Sequence, residues 1–331
     1  MRDRPAGVGE RELRLALAEG WRIDVTAMRY AALGGGSYHW AVRDGAGRRW
    51  FVTADDLDDK AWLGATRPAV TAGLRSAMDT ALALRRDAAL EFVVAPVPGC
   101  RGTTVRPVGS GHAMAVFPLL SGAAGSFGEA LSAPERAALV GMLAALHRST
   151  PLVAAGAQVS VIGLARREAL DAALRDLGRS WRSGPFAEPA RALLAGAEDQ
   201  VRGMLDALDR QADAVRASAL ALTHGEPHPG NVIREGTQRM LVDWDTVGLA
   251  PPERDLWWVI GETGEGRRRY AELTGRAVDP ALLMFYRLRW ALDDISSFVN
   301  RLRGEHRHTA DTEHAWLALK ETVVRATRGG R

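Results

Sequence analysis

The chain has 331 residues, 47% hydrophobic and 25% charged, the balance of a folded globular protein and not of a disordered one. Net charge is only +3, and acids and bases are interleaved as in "EDQVRGMLDALDR", so no basic stripe for nucleic acid is expected. No secretory h-region and no run of about 18 apolar residues is visible, so we expect no membrane span and a cytoplasmic protein.

Residues 10–20 are predicted to form a short helix. "MRYAAL" (28–33), "YHWAV" (38–42) and "RWFVT" (49–53) follow, rich in Trp, Tyr and Val and separated by "GGGS" and "RDGAG", as a β-meander requires. Over 67–87, Val70, Leu74, Met78 and Leu82 recur every four residues, the spacing of one helix face. Three more strands are expected in "EFVVAPV", "TTVRPV" and "AMAVFPLL", turned at "PGCRG" and "GSGH". Cys100, the sole cysteine, cannot form an intrachain disulfide and reads as a half-buried hydrophobe.

From Ser121 the character changes. "SGAAGSFG" reads as a linker, and the chain to Ser218 as helical. Ser132 and Glu135 have capping-box spacing ahead of Leu139, Met142, Leu143 and Leu146. One long helix is predicted from about Pro189 to Ser218, with Leu194, Ala197, Val201, Leu205, Leu208, Ala212 and Val215 on one stripe. "NVIRE" and "RMLVD" form a hairpin, and helices return from Leu256. Alternating βαβ units are missing, so a doubly wound sheet is not expected. The expected fold is α+β in two lobes: a small sheet lobe with one helix over 1–117, then a large helical lobe over 118–331. The hinge falls at about 117–122, and the active site is expected in the cleft.

The stretch "LTHGEPHPGNVIREGTQRMLVDWDTVGLAPPERDL" carries the chemistry. Glu226 and Asn231 lie five apart in a loop kept from helix by Pro227, Pro229 and Gly230. The hairpin returns Asp243 beside that loop. Oxygen ligands from Asn231 and Asp243 suit Mg²⁺, which takes its remaining ligands from phosphates and water. A further carboxylate, Glu226, could then orient a hydroxyl and accept its proton, and such positioning is most of what phosphoryl transfer asks of a protein. A zinc site on His224 and His228 would need a helix that the two prolines forbid.

"HGEPHPGN…LVDWD…PPERDL" resembles the aminoglycoside phosphotransferase and choline kinase group, nearest in character to its spectinomycin-phosphotransferase-like branch. The likeness covers about residues 25–260 in element order and is specific in 223–256. It implies a protein-kinase-like fold with an antiparallel sheet lobe and a mainly helical lobe. It also implies Glu226 as catalytic base, Asn231 and Asp243 as magnesium ligands, and Asp255 with His224 supporting the catalytic loop. His147 in "LAALHRST" falls where the group's preceding helix lies. "LGGGSYHW" matches the phosphate-covering loop, through Gly34, Gly35, Gly36 and Ser37, and "FPLL" matches the hinge, with Phe117 and Leu119 at the adenine edge.

Two positions depart from the group. Glu226 stands where the motif has aspartate, one methylene longer but with the same acceptor oxygens. Thr53 stands where a strand lysine should hold the phosphates. Only Lys60 is near, in "DDLDDK", either entering the nucleotide site, with Asp79 as a partner, or remaining a solvated loop residue. Asp293, Asp294 and Glu262 are candidate substrate contacts, with a solvated helix face the alternative for the aspartates. Trp244 is expected at a lobe contact, and Trp257 and Trp258 in the core. The resemblance thus implies Mg²⁺-assisted phosphotransfer from ATP or GTP to a hydroxyl of a small molecule. An aminoglycoside-like antibiotic is one candidate acceptor, which would make this a resistance enzyme. The alternative is a non-catalytic nucleotide- or ligand-binding pseudokinase, motivated by Thr53 and Glu226. Nothing in the sequence addresses oligomeric state.

Overall fold

Residues 1–261 and 264–328 are described in a computed structural model of the chain, and they pack as two units. The first contains Met1, Asp3–Ser160 and Ala219–Pro280; the second contains Arg2, Val161–Ser218 and the chain from Ala281 onward.

In the first unit, α1 (Glu10–Trp21) precedes a five-stranded antiparallel sheet of β1 (Val25–Ala31), β2 (Tyr38–Asp44), β3 (Arg49–Asp56), β4 (Arg106–Val108) and β5 (His112–Pro118), in the order β1-β2-β3-β5-β4. Strand alternation explains the burial. Trp40, Val42, Val52, Ala54, Met114 and Val116 pack with Leu13, Leu17 and Trp21 of α1. Leu13 and Leu17 are fully buried, each stabilising by about 1.5–3 kcal/mol. The alternate residues His39, Phe51, Thr53 and Asp55 therefore share the opposite face of the sheet. The rings of His39 and Phe51 stack there, 5.0 Å apart.

Helix α2 (Arg67–Arg86) follows a 3-10 turn at Ala61–Leu63. Gly73 seats that turn on α2, since a Cβ at this position would lie 2.5 Å from the Leu63 carbonyl oxygen. The expected strand at 91–97 does not form. Pro96 and Pro98 withhold amide donors, and the segment makes only a single parallel bridge, Val93 to Leu241. Cys100 is exposed, not half-buried.

The linker contributes a two-residue strand, β6 (Ala123–Ala124), and then α3 (Ala133–Arg148) begins with the expected capping box of Ser132 and Glu135. After α4 (Thr150–Val153), the chain leaves this unit and returns with β7 (Ala221–Thr223), β8 (Val232–Glu235), β9 (Gln238–Leu241) and β10 (Gly248–Ala250). β8 and β9 form the predicted hairpin about Gly236, whose φ of 58° suits a tight turn. β6 pairs with β8, and β10 with β7. Helices α8 (Glu253–Val259) and α9 (Glu265–Thr274) complete the unit. The passage from sheet to helices at 117–122 lies inside it.

The second unit is helical: α5 (Arg167–Arg175), α6 (Ala187–Gly196), α7 (Glu198–Arg216), α10 (Pro280–Arg303, whose first residue belongs to the first unit) and α11 (Ala310–Arg328). The single long helix expected from 189 to 218 is interrupted at Ala197, with φ −118° and ψ 11°. The stripe of Leu194, Ala197, Val201, Leu205, Leu208 and Val215 is nevertheless buried. No single helix among the described residues is long and apolar enough to cross a membrane.

Candidate active site

The catalytic loop is built on one buried carboxylate. Asp255, in the first turn of α8, accepts the backbone N–H of His224 at 2.8 Å and that of Gly225 at 2.6 Å. His147, near the end of α3, reaches the same carboxylate through Nε2 at 3.0 Å, and its Nδ1 meets the Tyr270 hydroxyl at 2.8 Å. Burial alone would raise the Asp255 pKa, but the His147 hydrogen bond and the nearby Arg254 charge hold it below the ordinary carboxylate range. Burial pushes the Tyr270 phenol up, so it stays a proton donor to His147.

His224 uses both ring nitrogens. Nε2 donates to the Val242 carbonyl at 2.9 Å and Nδ1 accepts the Glu226 N–H at 3.2 Å, the pattern of a neutral ring. Burial lowers its pKa, which favours that state. Between His224 and Glu226, Gly225 has φ 104°, and a Cβ there would lie 2.5 Å from Arg254 Nη2 and 2.7 Å from Thr246 Oγ1. Only glycine fits this position. Trp244 packs its ring 4.6 Å from His224 with no solvent exposure, so it is a floor beneath the loop.

On this base stand the three predicted chemical residues. A 3-10 turn at Pro229–Asn231 folds the loop back, and Asn231 Nδ2 donates to the Glu226 carbonyl at 3.0 Å. That bond leaves the Asn231 amide oxygen as the acceptor end of the side chain. The Val242 N–H donates to the Asn231 carbonyl at 3.0 Å, which ties the loop to the strand end carrying Asp243. Asp243 has φ 67°, a left-handed conformation uncommon outside glycine and tolerated best by Asn and Asp. Glu226 is half-buried, and its charge bears on Asp243. An amide oxygen and a carboxylate at the end of one hairpin are a donor set that fits Mg²⁺.

The other side of the site is a charged cluster. Lys60 is 1% exposed, and its ammonium meets Asp245 Oδ2 at 2.5 Å, Asp55 Oδ1 at 2.8 Å and Ser37 Oγ at 3.1 Å. Burial would strip its proton, but Asp245, then Asp55 and Asp243, outweigh burial and push the pKa up. Lys60 is therefore buried beside Ser37 and Asp245 and not in a solvated loop. The suggested partner is wrong: Asp79 instead accepts the Thr104 hydroxyl at 2.5 Å. Asp55 is two residues beyond Thr53 on the same strand face, so this strand contributes an anion where the resemblance implied a cation. The loop supplies the cation.

Ser37 is likewise drawn inward, its hydroxyl donating to Asp55 at 2.5 Å. Gly34, Gly35 and Gly36 are exposed, with φ of 58° at Gly34 and 91° at Gly36. Asp243 is an exposed residue, but the protein packed around it, followed by the charge of Asp245, pushes its pKa up, with Lys60 opposing and Glu226 and Asp55 adding. Two carboxylates, Asp55 and Asp245, thus pair with one ammonium, and Asp243 and Glu226 are further acid groups next to that pair.

The remaining candidates fall elsewhere. Phe117 pairs with Phe51 across β5 and β3, and the Leu119 N–H donates to the Arg49 carbonyl at 3.3 Å. Ladder alternation would turn the Pro118 carbonyl and the Leu120 N–H the other way. Asp293 and Asp294 lie on α10 in the second unit, Asp293 paired with Arg289 at 3.1 Å and Asp294 accepting from Thr322 at 3.5 Å. Glu262 lies outside the described residues. Trp257 and Trp258 are half-buried, not core, with ring centroids 4.0 Å apart. The sequence reading missed Asp55 and Asp245. Their only signal was a second acid beside each motif, in "DDLDDK" and "DWD".

The family model described as the phosphotransferase enzyme family, APH, matches residues 30–293. Protein StrN of Streptomyces griseus is 30% identical over 247 residues, covering 69% of this chain and 70% of its own. Among solved structures, spectinomycin phosphotransferase APH(9)-Ia in complex with ADP and spectinomycin superposes with a TM-score of 0.74 at 15% identity, covering 98% of each chain. Amicoumacin kinase hAmiN, in complex with AMP-PNP, Ca²⁺ and Ami, gives 0.58 at 15% identity, covering 96% of this chain and 94% of its own. These structural likenesses establish the fold, α+β and protein-kinase-like.

Proposed function

Since the chain belongs to the phosphotransferase enzyme family and is accordingly a small-molecule phosphotransferase, we propose that it moves the γ-phosphoryl group of ATP to a hydroxyl of a small molecule, within the cytoplasm where ATP is at hand. The observation that carries the reading is the joint placement of Glu226, Asn231 and Asp243 by one turn and one hairpin, on a loop held by Asp255. ATP is preferred over GTP because relatives of the same fold were solved with ADP and AMP-PNP.

In this reading Glu226 holds the acceptor hydroxyl and takes its proton as the oxygen bonds to the γ-phosphorus, and ADP leaves with the electrons of the broken bond. Asn231 and Asp243 would hold Mg²⁺, which supplies charge neutralisation along the phosphates. Lys60 adds the positive charge that Thr53 cannot, and it also ties Ser37 of the glycine loop to Asp245. Gly34, Gly35 and Gly36 bring backbone N–H groups close to the phosphates. The backbone around Phe117 and Leu119 meets the adenine edge, and residues 117–122 act as the hinge between nucleotide and acceptor regions. An antibiotic acceptor is supported by the antibiotic kinases among the structural relatives.

Glu226→Gln keeps size and removes the basic oxygen. Turnover should fall by about 10²–10⁴, while calorimetry shows Mg²⁺-dependent ATP binding unchanged. Unchanged turnover would remove Glu226 from the mechanism, and an absence of ATP binding in the parent chain would remove the phosphotransfer reading itself.

A further inference from the structure

The catalytic loop carries a second surface that the phosphate chemistry does not use. His228 is two residues past Glu226, and its ring centroid lies 5.1 Å from Phe127 and 5.2 Å from Trp258. Phe127 and Trp258 meet edge to face at 5.9 Å, and the Trp258 indole N–H donates to the Gly225 carbonyl at 3.3 Å, one residue before Glu226. The wall is therefore fixed to the backbone that positions the base.

The linker is built to deliver Phe127 to this place. Gly125 donates its N–H to the Pro229 carbonyl at 3.1 Å, and a Cβ there would lie 2.8 Å from that oxygen, so only glycine lets the linker lie against the catalytic loop. Glu129 then closes the turn, accepting the Ser126 N–H at 2.7 Å and pairing with Arg234 at 2.8 Å. Phe127 nevertheless keeps 50% of its surface in solvent. A rigid turn that presents a half-exposed phenyl group against the loop carrying Glu226 has the character of a binding face.

Charge selects the ligand class. Burial, with a smaller contribution from His224, lowers the His228 pKa to about 4, so the ring is neutral at physiological pH. The Glu129 carboxylate is committed to Arg234 and Ser126. What the wall offers is π faces and apolar edges. Stacking a flat ring on such side chains is worth about five- to a hundredfold in affinity. A cation over an exposed ring gains only about two- to fivefold.

We propose that Phe127, His228 and Trp258 form the acceptor-binding face, and that the acceptor is an uncharged hydroxylated compound with a flat or apolar ring face, held by stacking with its hydroxyl directed to Glu226. This rests on the phosphotransfer reading and adds the substrate class to it.

The test is calorimetry on the full chain saturated with Mg²⁺ and AMP-PNP, titrated with uridine and phenyl β-D-glucoside as uncharged probes and with hygromycin B as a polycationic one. At least one uncharged probe should bind, about tenfold more weakly to Phe127→Ala and with parental affinity to Phe127→Tyr, while AMP-PNP affinity stays constant in both variants. Binding of hygromycin B alone, binding of neither uncharged probe, or an unchanged affinity in Phe127→Ala would each overturn the proposal. If AMP-PNP itself does not bind, the phosphotransfer reading fails. The probes titrated without nucleotide then decide the stacking claim on the same criteria.

Discussion

Two charge networks meet at the Glu226 loop, one buried and one partly open to solvent, and they are balanced in opposite ways. Beneath the loop, Asp255 accepts from His224, Gly225 and His147, and Tyr270 completes the chain, so this network is satisfied by the protein alone. Beside the loop, Lys60 pairs with Asp55 and Asp245, Asp243 and Glu226 add further acid groups, and the protein crowded around Asp243, followed by the charge of Asp245, holds it protonated more readily than an ordinary aspartate. The first arrangement stabilises a backbone shape. The second stores an excess of negative charge that a divalent cation can neutralise. Rigidity and an excess of acid groups thus fall to adjacent but separate residues.

Removing Asp255 should produce the largest effect. Asp255→Ala leaves two buried N–H donors and His147 without their acceptor and should cost about 3–5 kcal/mol, read by urea or thermal unfolding. A loss below about 1 kcal/mol would mean that the loop does not depend on this brace. Lys60→Met comes next, at about 3 kcal/mol, because it strands the carboxylates of Asp55 and Asp245. The folded Lys60 pKa is raised, so its contribution is complete below the unfolded value of about 10.4 and declines only as pH rises through the folded one. The stability difference between parent and Lys60→Met should therefore stay level from neutral to mildly alkaline pH, and a steep change there would contradict the pairing.

Asp243→Asn is the smallest expected change in stability and the one that separates the two networks. Because the folded pKa of Asp243 is raised, the folded state binds more protons than the unfolded chain, and stability falls as pH rises from the unfolded carboxylate range, near 4, through the folded value. Asparagine tolerates the same left-handed backbone and carries no charge to oppose. The metal-free variant should be slightly more stable than the parent at neutral pH and should lose the stabilisation by Mg²⁺. In the parent, that stabilisation should grow with pH as Asp243 releases its proton. Mg²⁺ stabilising both proteins equally would show that Asp243 is not a ligand.

What could be read from the chain alone was local. The Ser132–Glu135 capping box, the β8–β9 hairpin and the five-residue spacing of Glu226 and Asn231 depend on contacts within a few residues, so their signals stand intact in the sequence. The catalytic motif belongs with them, since turn, hairpin and strand end are contiguous. Where a local pattern met a competing constraint, the reading failed: prolines kept 91–97 out of the sheet, and Ala197 interrupted the helix without disturbing its apolar stripe. Tertiary structure alone decided the pairing of Lys60 with Asp245, 185 residues apart in the chain, and the meeting of Phe127 with His228 and Trp258. A buried ammonium takes whichever carboxylates the fold brings within reach, and an aromatic ring packs against whatever surface its turn presents. Neither choice leaves a periodic trace in sequence.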